Sequence, residues 1–293
     1  MTCGKQAFVV VAASLVMLQA ACGGNHFASQ ERAEAAASTP PAQTTSEHAA
    51  HEAPHWSYEE AAGPARWNTL NADWRICGEG RNQSPIDIGE TAAPNSPALK
   101  EEFKPASLNI AHHEHAADVI NNGHTIQVND AVGDTLRIGG RQFQLLQYHF
   151  HSPSEHTVGG RHYPMEMHLV HQSADGNLAV VGVFIEEGEP NAAFDPIWSN
   201  LPKTEDAEYH LANVKEDIGS LLPGDKTTFR YDGSLTTPPC SEGVKWIVMT
   251  TPIQLSPQQI GAFRAIIKDN NRPIQPLHGR AVVTDRITKI DTN

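Results

Sequence analysis

Residues 147–151 read Gln147-Tyr148-His149-Phe150-His151 and close a strand-like stretch that begins at Phe143. Side chains on a strand alternate between faces, so His149 and His151 point the same way and Phe150 points away from them. A second stretch, Glu166-Met167-His168-Leu169-Val170, puts Glu166, His168 and Val170 on one face. If the two strands are neighbours, three imidazoles surround one point. Imidazole suits zinc, and three protein ligands leave a fourth position for water, the pattern of a catalytic rather than a structural site. Gln147 and Glu166 each stand two residues before a ligand on the same face, placed to accept the remaining imidazole N–H and fix its tautomer. His171 falls on the face opposite His168. It and His156 read as buried, hydrogen-bonded structural residues, and His112, His113 and His115 as a solvated loop or edge strand.

Outward from this pair, Leu136–Ile138, Leu178–Ile185 and Val244–Met249 are also strand-like. Ser256-Pro257 is an N-cap followed by Pro at the first helical position, leading to Ile260, Phe263, Ile266 and Ile267 on one helix face. Val214, Ile218, Leu221 and Leu222 fall at helical spacing. The sum is a mainly β single domain, residues 56–293, with short peripheral helices and no internal repeat.

Ahead of it, Lys5 and the apolar run Ala7–Leu18 form an export signal over residues 1–22, too short to span a bilayer comfortably. Ala20 and Ala21 precede Cys22, which resembles a bacterial lipoprotein cleavage site with Cys22 as the lipidated residue. Gln19 stands where an aliphatic residue is usual, and plain signal cleavage is the alternative. Residues 23–55, rich in Ala, Ser, Thr, Glu and Pro, form a disordered linker carrying His26, His48, His51 and His55. The expected location is the bacterial periplasm, free or membrane-anchored. The chain carries 21 Lys and Arg against 34 Asp and Glu, a net charge of -13. That excess repels phosphate backbones and argues against nucleic-acid binding. With Cys3 and Cys22 in the signal region, Cys77 and Cys240 remain, suggesting one disulfide in an exported domain; two buried free thiols are the alternative.

Five stretches then carry a resemblance: Gln-Ser-Pro-Ile-Asp-Ile (Gln83 to Ile88), Asn-Asn-Gly-His (Asn121 to His124), His-Phe-His-Ser-Pro-Ser-Glu-His (His149 to His156), Glu-Met-His-Leu-Val-His (Glu166 to His171) and Gly-Ser-Leu-Thr-Thr-Pro-Pro-Cys (Gly233 to Cys240). In this order they resemble the α-class carbonic anhydrases, from His55 to about Ile290. That family is itself the reference case of a three-histidine catalytic zinc site.

The resemblance implies a large, twisted, mostly antiparallel sheet. It also implies reversible hydration of carbon dioxide to bicarbonate by zinc on His149, His151 and His168. Thr236 and Glu155 match the gate beside the metal, with ionised Glu155 accepting the one Thr236 hydroxyl proton. His124 matches the proton shuttle. Val170, Val180, Leu235, Val244 and Trp246 match the apolar wall that receives carbon dioxide, and Tyr58, Asn122, Gln127 and Thr237 match residues that order water. The short Ser152–Ser154 connection and the Cys77 and Cys240 pair resemble bacterial members, which often pair as dimers; no residue here marks a dimer interface.

Two rivals make different demands. A silent binding domain of this fold lacks zinc histidines, whereas all three are present. A zinc reservoir built on the linker histidines requires several comparable metal sites and no hydration activity.

Overall fold

A computed structural model describes residues 55–89, 109–112, 115–130, 134–286 and 289–292. The signal, Cys22, the linker histidines His26, His48 and His51, and His113 lie outside the described residues.

Nine strands run side by side past the site. They are β1 His115–Asn121, β2 Ile126–Asp130, β3 Arg141–His151, β4 Met165–Ser173, β5 Leu178–Glu187, β6 Glu208–Glu216, β7 Thr227–Ser234, β8 Glu242–Met249 and β9 Val283–Arg286. Their spatial order is β6-β1-β2-β3-β4-β5-β8-β7-β9. The β5–β8 pairing is parallel, and every other joint along this path is antiparallel.

Period-two alternation divides the apolar residues into two cores. Met165, Met167 and Leu169 of β4 join Val181 and Val183 of β5 and Ile247 and Met249 of β8 on one side. The residues between them, Val170, Val180, Phe184, Val244, Trp246 and Val248, form the second core. With both faces covered, the strands read as nearly continuous apolar runs instead of alternating with polar residues.

One irregularity sets the facing of β3. The register with β4 shifts between Leu145 and Gln147, and Leu146 is 42% exposed. Phe143 and Leu145 before the shift, and Tyr148 and Phe150 after it, all join the first core. An extra residue at Leu146 reverses the parity, which turns His149 and His151 to the second side.

The helix after Ser256 runs Pro257–Arg264 and begins with a capping box, Ser256 accepting from Gln259 N while the Gln259 side chain accepts from Ser256 N. Ile260 and Phe263 are its buried residues; Ile266 and Ile267 lie past its end. The expected helix through Val214 and Leu222 is absent. Val214 belongs to β6, and Ile218–Leu221 is a single 3-10 turn capped by Asp217. A 3-10 turn also places residues three apart on one side, so burial of Ile218 and Leu221 mimics the helical spacing.

Cys77 and Cys240 form a disulfide, packed against Trp67, and the free-thiol alternative is excluded. Arg272 is buried beside it, donating Nη2–H to Cys77 O and Nη1–H to Gln83 Oε1 and Ser84 O, while Gln83 Nε2–H reaches Cys240 O. Loss of the disulfide should cost about 2–4 kcal/mol of stability. Calorimetry with and without reductant, paired with metal analysis, should show a lower Tm and little change in bound metal.

Candidate metal centre

β3 and β4 are antiparallel neighbours, with His149 opposite His168 and His151 opposite Glu166. The ring centroids stand 5.0 Å (His149–His151), 5.4 Å (His149–His168) and 4.6 Å (His151–His168) apart. One nitrogen from each ring lies within 4.8 Å of the other two.

The opposite nitrogens identify which atoms are free. His149 Nδ1 meets Gln147 Oε1 at 2.8 Å, His168 Nε2 meets Glu166 Oε1 at 2.9 Å, and His151 Nδ1 meets the main-chain oxygen of Asn270 at 2.7 Å. Each partner is an oxygen acceptor, so each ring donates its N–H there. The lone pairs of His149 Nε2, His151 Nε2 and His168 Nδ1 are left for the common point. Burial, reinforced by the neighbouring imidazoles, holds His149 well below its ordinary 6.5. Burial likewise lowers His151, against the opposing charge of Glu155. Both rings are therefore neutral at neutral pH, the form a metal ligand requires.

Two buried atoms in this cluster have no hydrogen-bond partner, His151 Nε2 and Glu155 Oε2. They are 3.6 Å apart, and Glu155 Oε2 is 3.9 Å from His168 Nδ1. Buried acceptors without a donor are costly. A divalent cation among the three imidazoles satisfies their lone pairs and lies beside the negative charge of Glu155, so the donor set fits a metal ion.

The expected Thr236-to-Glu155 hydrogen bond is not formed, which corrects the gate inferred from the resemblance. Glu155 Oε1 accepts from Arg272 N at 2.8 Å, and that anchor directs Oε2 toward the imidazole nitrogens. Thr236 is buried, in the segment that leads to Cys240.

Behind the three histidines Glu166 is fully buried and accepts four hydrogen bonds: Glu155 N (2.9 Å) and His156 N (2.8 Å) to Oε2, His156 Nδ1 (2.7 Å) and His168 Nε2 (2.9 Å) to Oε1. Burial alone would raise this carboxyl, but facing His156 and His168 holds it well below 4.5. His156 continues outward through Nε2 to Tyr231 Oη at 2.6 Å, and Tyr231 to Ser84 Oγ at 2.8 Å. The second acidic-histidine group, His156, Glu166 and His168, is thus bound internally by hydrogen bonds. On β5, opposite His168, stands Gly182; a Cβ there would lie 3.0 Å from Glu166 Oε1.

The other residues named from sequence fall as follows. Val170, Val180, Val244 and Trp246 belong to the second core with Leu235 packed against it, and Trp246 meets the His168 ring edge-on at 4.9 Å. Asn122 Nδ2–H points to Gln127 Oε1 at 3.4 Å. Tyr58 is held well above its ordinary pKa by burial and then by the charge of Glu155. Thr237 accepts from Cys240 N through its carbonyl. His124 follows the turn at Gly123, whose φ of +79° suits glycine. His171 is buried, with Nδ1 bonded to Leu169 O. Asn270, Arg272 and Gly182 escaped sequence reading. The first two reach His151 and Glu155 through main-chain atoms, which carry no residue-type signal, and the glycine resembles any other small residue in an apolar strand.

The family model described as eukaryotic-type carbonic anhydrase matches residues 62–286. A carbonic anhydrase of Klebsiella pneumoniae is 46% identical over 235 residues, covering 79% of this chain and 91% of that protein. One from Neisseria gonorrhoeae is 41% identical over 245 residues, covering 83% and 93%. Among solved structures, the α-carbonic anhydrase of Thermovibrio ammonificans, in complex with the inhibitor sulfanilamide, superposes with a TM-score of 0.74 at 41% identity, over 79% of this chain and all of that one. The fold, the converging imidazoles and these matches lead to one conclusion: the chain belongs to the α-class, eukaryotic-type carbonic anhydrase family.

Proposed function

We propose that this enzyme hydrates carbon dioxide reversibly to bicarbonate and a proton, with zinc held by His149 Nε2, His151 Nε2 and His168 Nδ1. The observation that carries this reading is the set of three lone pairs whose opposite nitrogens are all engaged, converging beside a buried carboxylate oxygen. Zinc there supplies a Lewis acid that makes water ionisable near neutral pH, the effect for which this family is the standard example.

The chain's own residues do the rest. Gln147, Glu166 and the Asn270 carbonyl aim the rings and hold their tautomers. Val170, Val180, Leu235, Val244 and Trp246 offer an apolar wall to a small uncharged substrate. Glu155 and Thr236 border the reacting centre, and Tyr58, Asn122, Gln127 and Thr237 order water. His124 takes the proton released by hydration and passes it toward solvent.

Export by residues 1–22, a lipid on Cys22 and a tether over residues 23–55 complete the reading, supported by the disulfide, which persists in an oxidising compartment. Stopped-flow hydration with metal analysis tests the whole. Activity should vanish on chelation and return with zinc, and a zinc-loaded protein without hydration activity would overturn it. His124→Ala should retain zinc and kcat/KM while kcat in dilute buffer falls roughly ten-fold or more, with added imidazole partly restoring it.

A further inference from the structure

Asn270 does more than lend its carbonyl to His151. It follows two exposed residues, Lys268 and Asp269, yet is itself buried, and both ends of its side-chain amide are engaged. Nδ2 lies 3.0 Å from His124 O and 2.9 Å from Phe150 O, while Oδ1 lies 2.8 Å from Ser152 N. Carbonyls only accept and a main-chain N–H only donates, so these partners fix which way the amide faces. Its NH2 gives one hydrogen to each carbonyl, and its oxygen accepts from Ser152. Asn270 N also donates to Ser152 O at 3.2 Å, which makes a two-point bridge to the residue that follows β3. The His124 N–H is used inside its own turn, on Asn122 Oδ1, whereas its carbonyl reaches out to Asn270.

We propose that the Asn270 side chain is a positioning element for proton export, clamping the His124 turn to the end of the strand that carries His149 and His151. This rests on the shuttle reading of His124. One residue then holds the His151 ring through its carbonyl, at 2.7 Å, and the main chain of His124 through its amide. The separation between the reacting centre and the imidazole that takes the proton is set across a single side chain. Proton transfer is sensitive to the distance and alignment of its donor and acceptor, so a loosened turn slows it even when every titrating group is intact.

The side chain and the main chain of Asn270 do separable jobs. The acceptor for His151 is a main-chain oxygen and survives any substitution at this position. The segment keeps its bond from Asn270 N to Ser152 O and, two residues on, the buried Arg272 anchors on Cys77, Gln83 and Ser84. Phe150 O keeps a second donor, Thr125 Oγ1–H at 2.5 Å. What an apolar side chain removes is the tie to His124 O and the acceptor for Ser152 N. Asparagine is neutral, so its replacement by a neutral residue changes position and leaves the charges around the shuttle as they are.

The test uses the full-length, zinc-loaded enzyme and its Asn270→Ala, Asn270→Leu and His124→Ala variants, with the double variant Asn270→Ala, His124→Ala. Leucine has the branched shape of asparagine and keeps the site filled should the cavity left by alanine prevent folding. Hydration is measured in dilute buffer and in saturating imidazole, beside thermal melts, zinc analysis after dialysis and amide hydrogen exchange. Both Asn270 variants should keep zinc, hold kcat/KM within about two-fold, lose about three- to ten-fold in kcat in dilute buffer and recover in imidazole. Exchange should quicken at the His124 and Thr125 amides while residues 165–170 keep their protection. The double variant should be no slower than His124→Ala alone. An unchanged kcat in both Asn270 variants, with His124→Ala slowed, overturns the clamp and leaves the shuttle standing. Loss of kcat and kcat/KM together, or of zinc or folding in both variants, also overturns it and makes Asn270 a structural residue. An additional loss in the double variant overturns action through His124. If His124→Ala is unimpaired, the shuttle reading fails and the clamp with it.

Discussion

His151→Ala should strip the protein of its metal and lower carbon dioxide hydration by at least about 10³-fold, because water is no longer ionised near neutral pH. The variant deletes one of three nitrogens that lie within 4.8 Å of one another, and with it the ring anchored on Asn270 O. Two imidazoles and Glu155 remain, a poorer set for a tetrahedral ion that favours three protein nitrogens plus water. The strand itself should persist, because the β3–β4 ladder and the burial of Tyr148 and Phe150 do not depend on the imidazole. Metal analysis after dialysis, circular dichroism and stopped-flow hydration read the three quantities separately. His171→Ala is the matching control, since that histidine bonds to Leu169 O from the other face; it should lose stability but keep zinc and activity. Zinc retained at one per chain with full turnover in His151→Ala would remove the three-ligand assignment.

Glu166→Gln is the second large effect, and it acts on affinity and stability together. The carboxylate accepts from four donors, two on each oxygen. An amide offers one oxygen and one NH2, so in either orientation two of those donors face a donor inside a dry site. Zinc affinity should fall about 10–100-fold, since the acceptor that orients His168 is weakened. Folding should lose about 3–5 kcal/mol, the usual cost of breaking a buried charge network.

The pH dependence has a definite sign. The native carboxyl lies well below 4.5, so the unfolded chain binds the proton first and stability falls as pH drops through the native value. The gap between wild type and variant should therefore be full above pH 4.5 and close in stronger acid. Denaturant titrations of metal-free protein across that range check it. A gap that is constant with pH would show that the network is held by shape alone.

Much of this site was legible because its chemistry is local to two strands. His149 and His151 two residues apart, and Glu166 and His168 likewise, share a face by strand geometry alone, and the same spacing places Gln147 and Glu166 as their acceptors. The capped helix after Ser256 was readable for a similar reason, since its signal is a short run of residue types. The error at Val214–Leu222 arose where two geometries share a spacing, so that a 3-10 turn following a strand looked like one helix.

By itself the sequence determined the donor types, their alternation on each strand and the apolar runs that demand a sheet covered on both sides. Tertiary structure alone decided that β3 and β4 are neighbours, that the shift near Leu146 turns the two histidines away from Phe143 and Leu145, and that the third acceptor is a carbonyl 119 residues from His151. It also decided where the free oxygen of Glu155 points, through the Arg272 amide that holds the other oxygen. The physical reason is the range of the forces involved. Strand alternation follows from steric repulsion between adjacent residues, whereas register and main-chain convergence depend on which distant segments pack together.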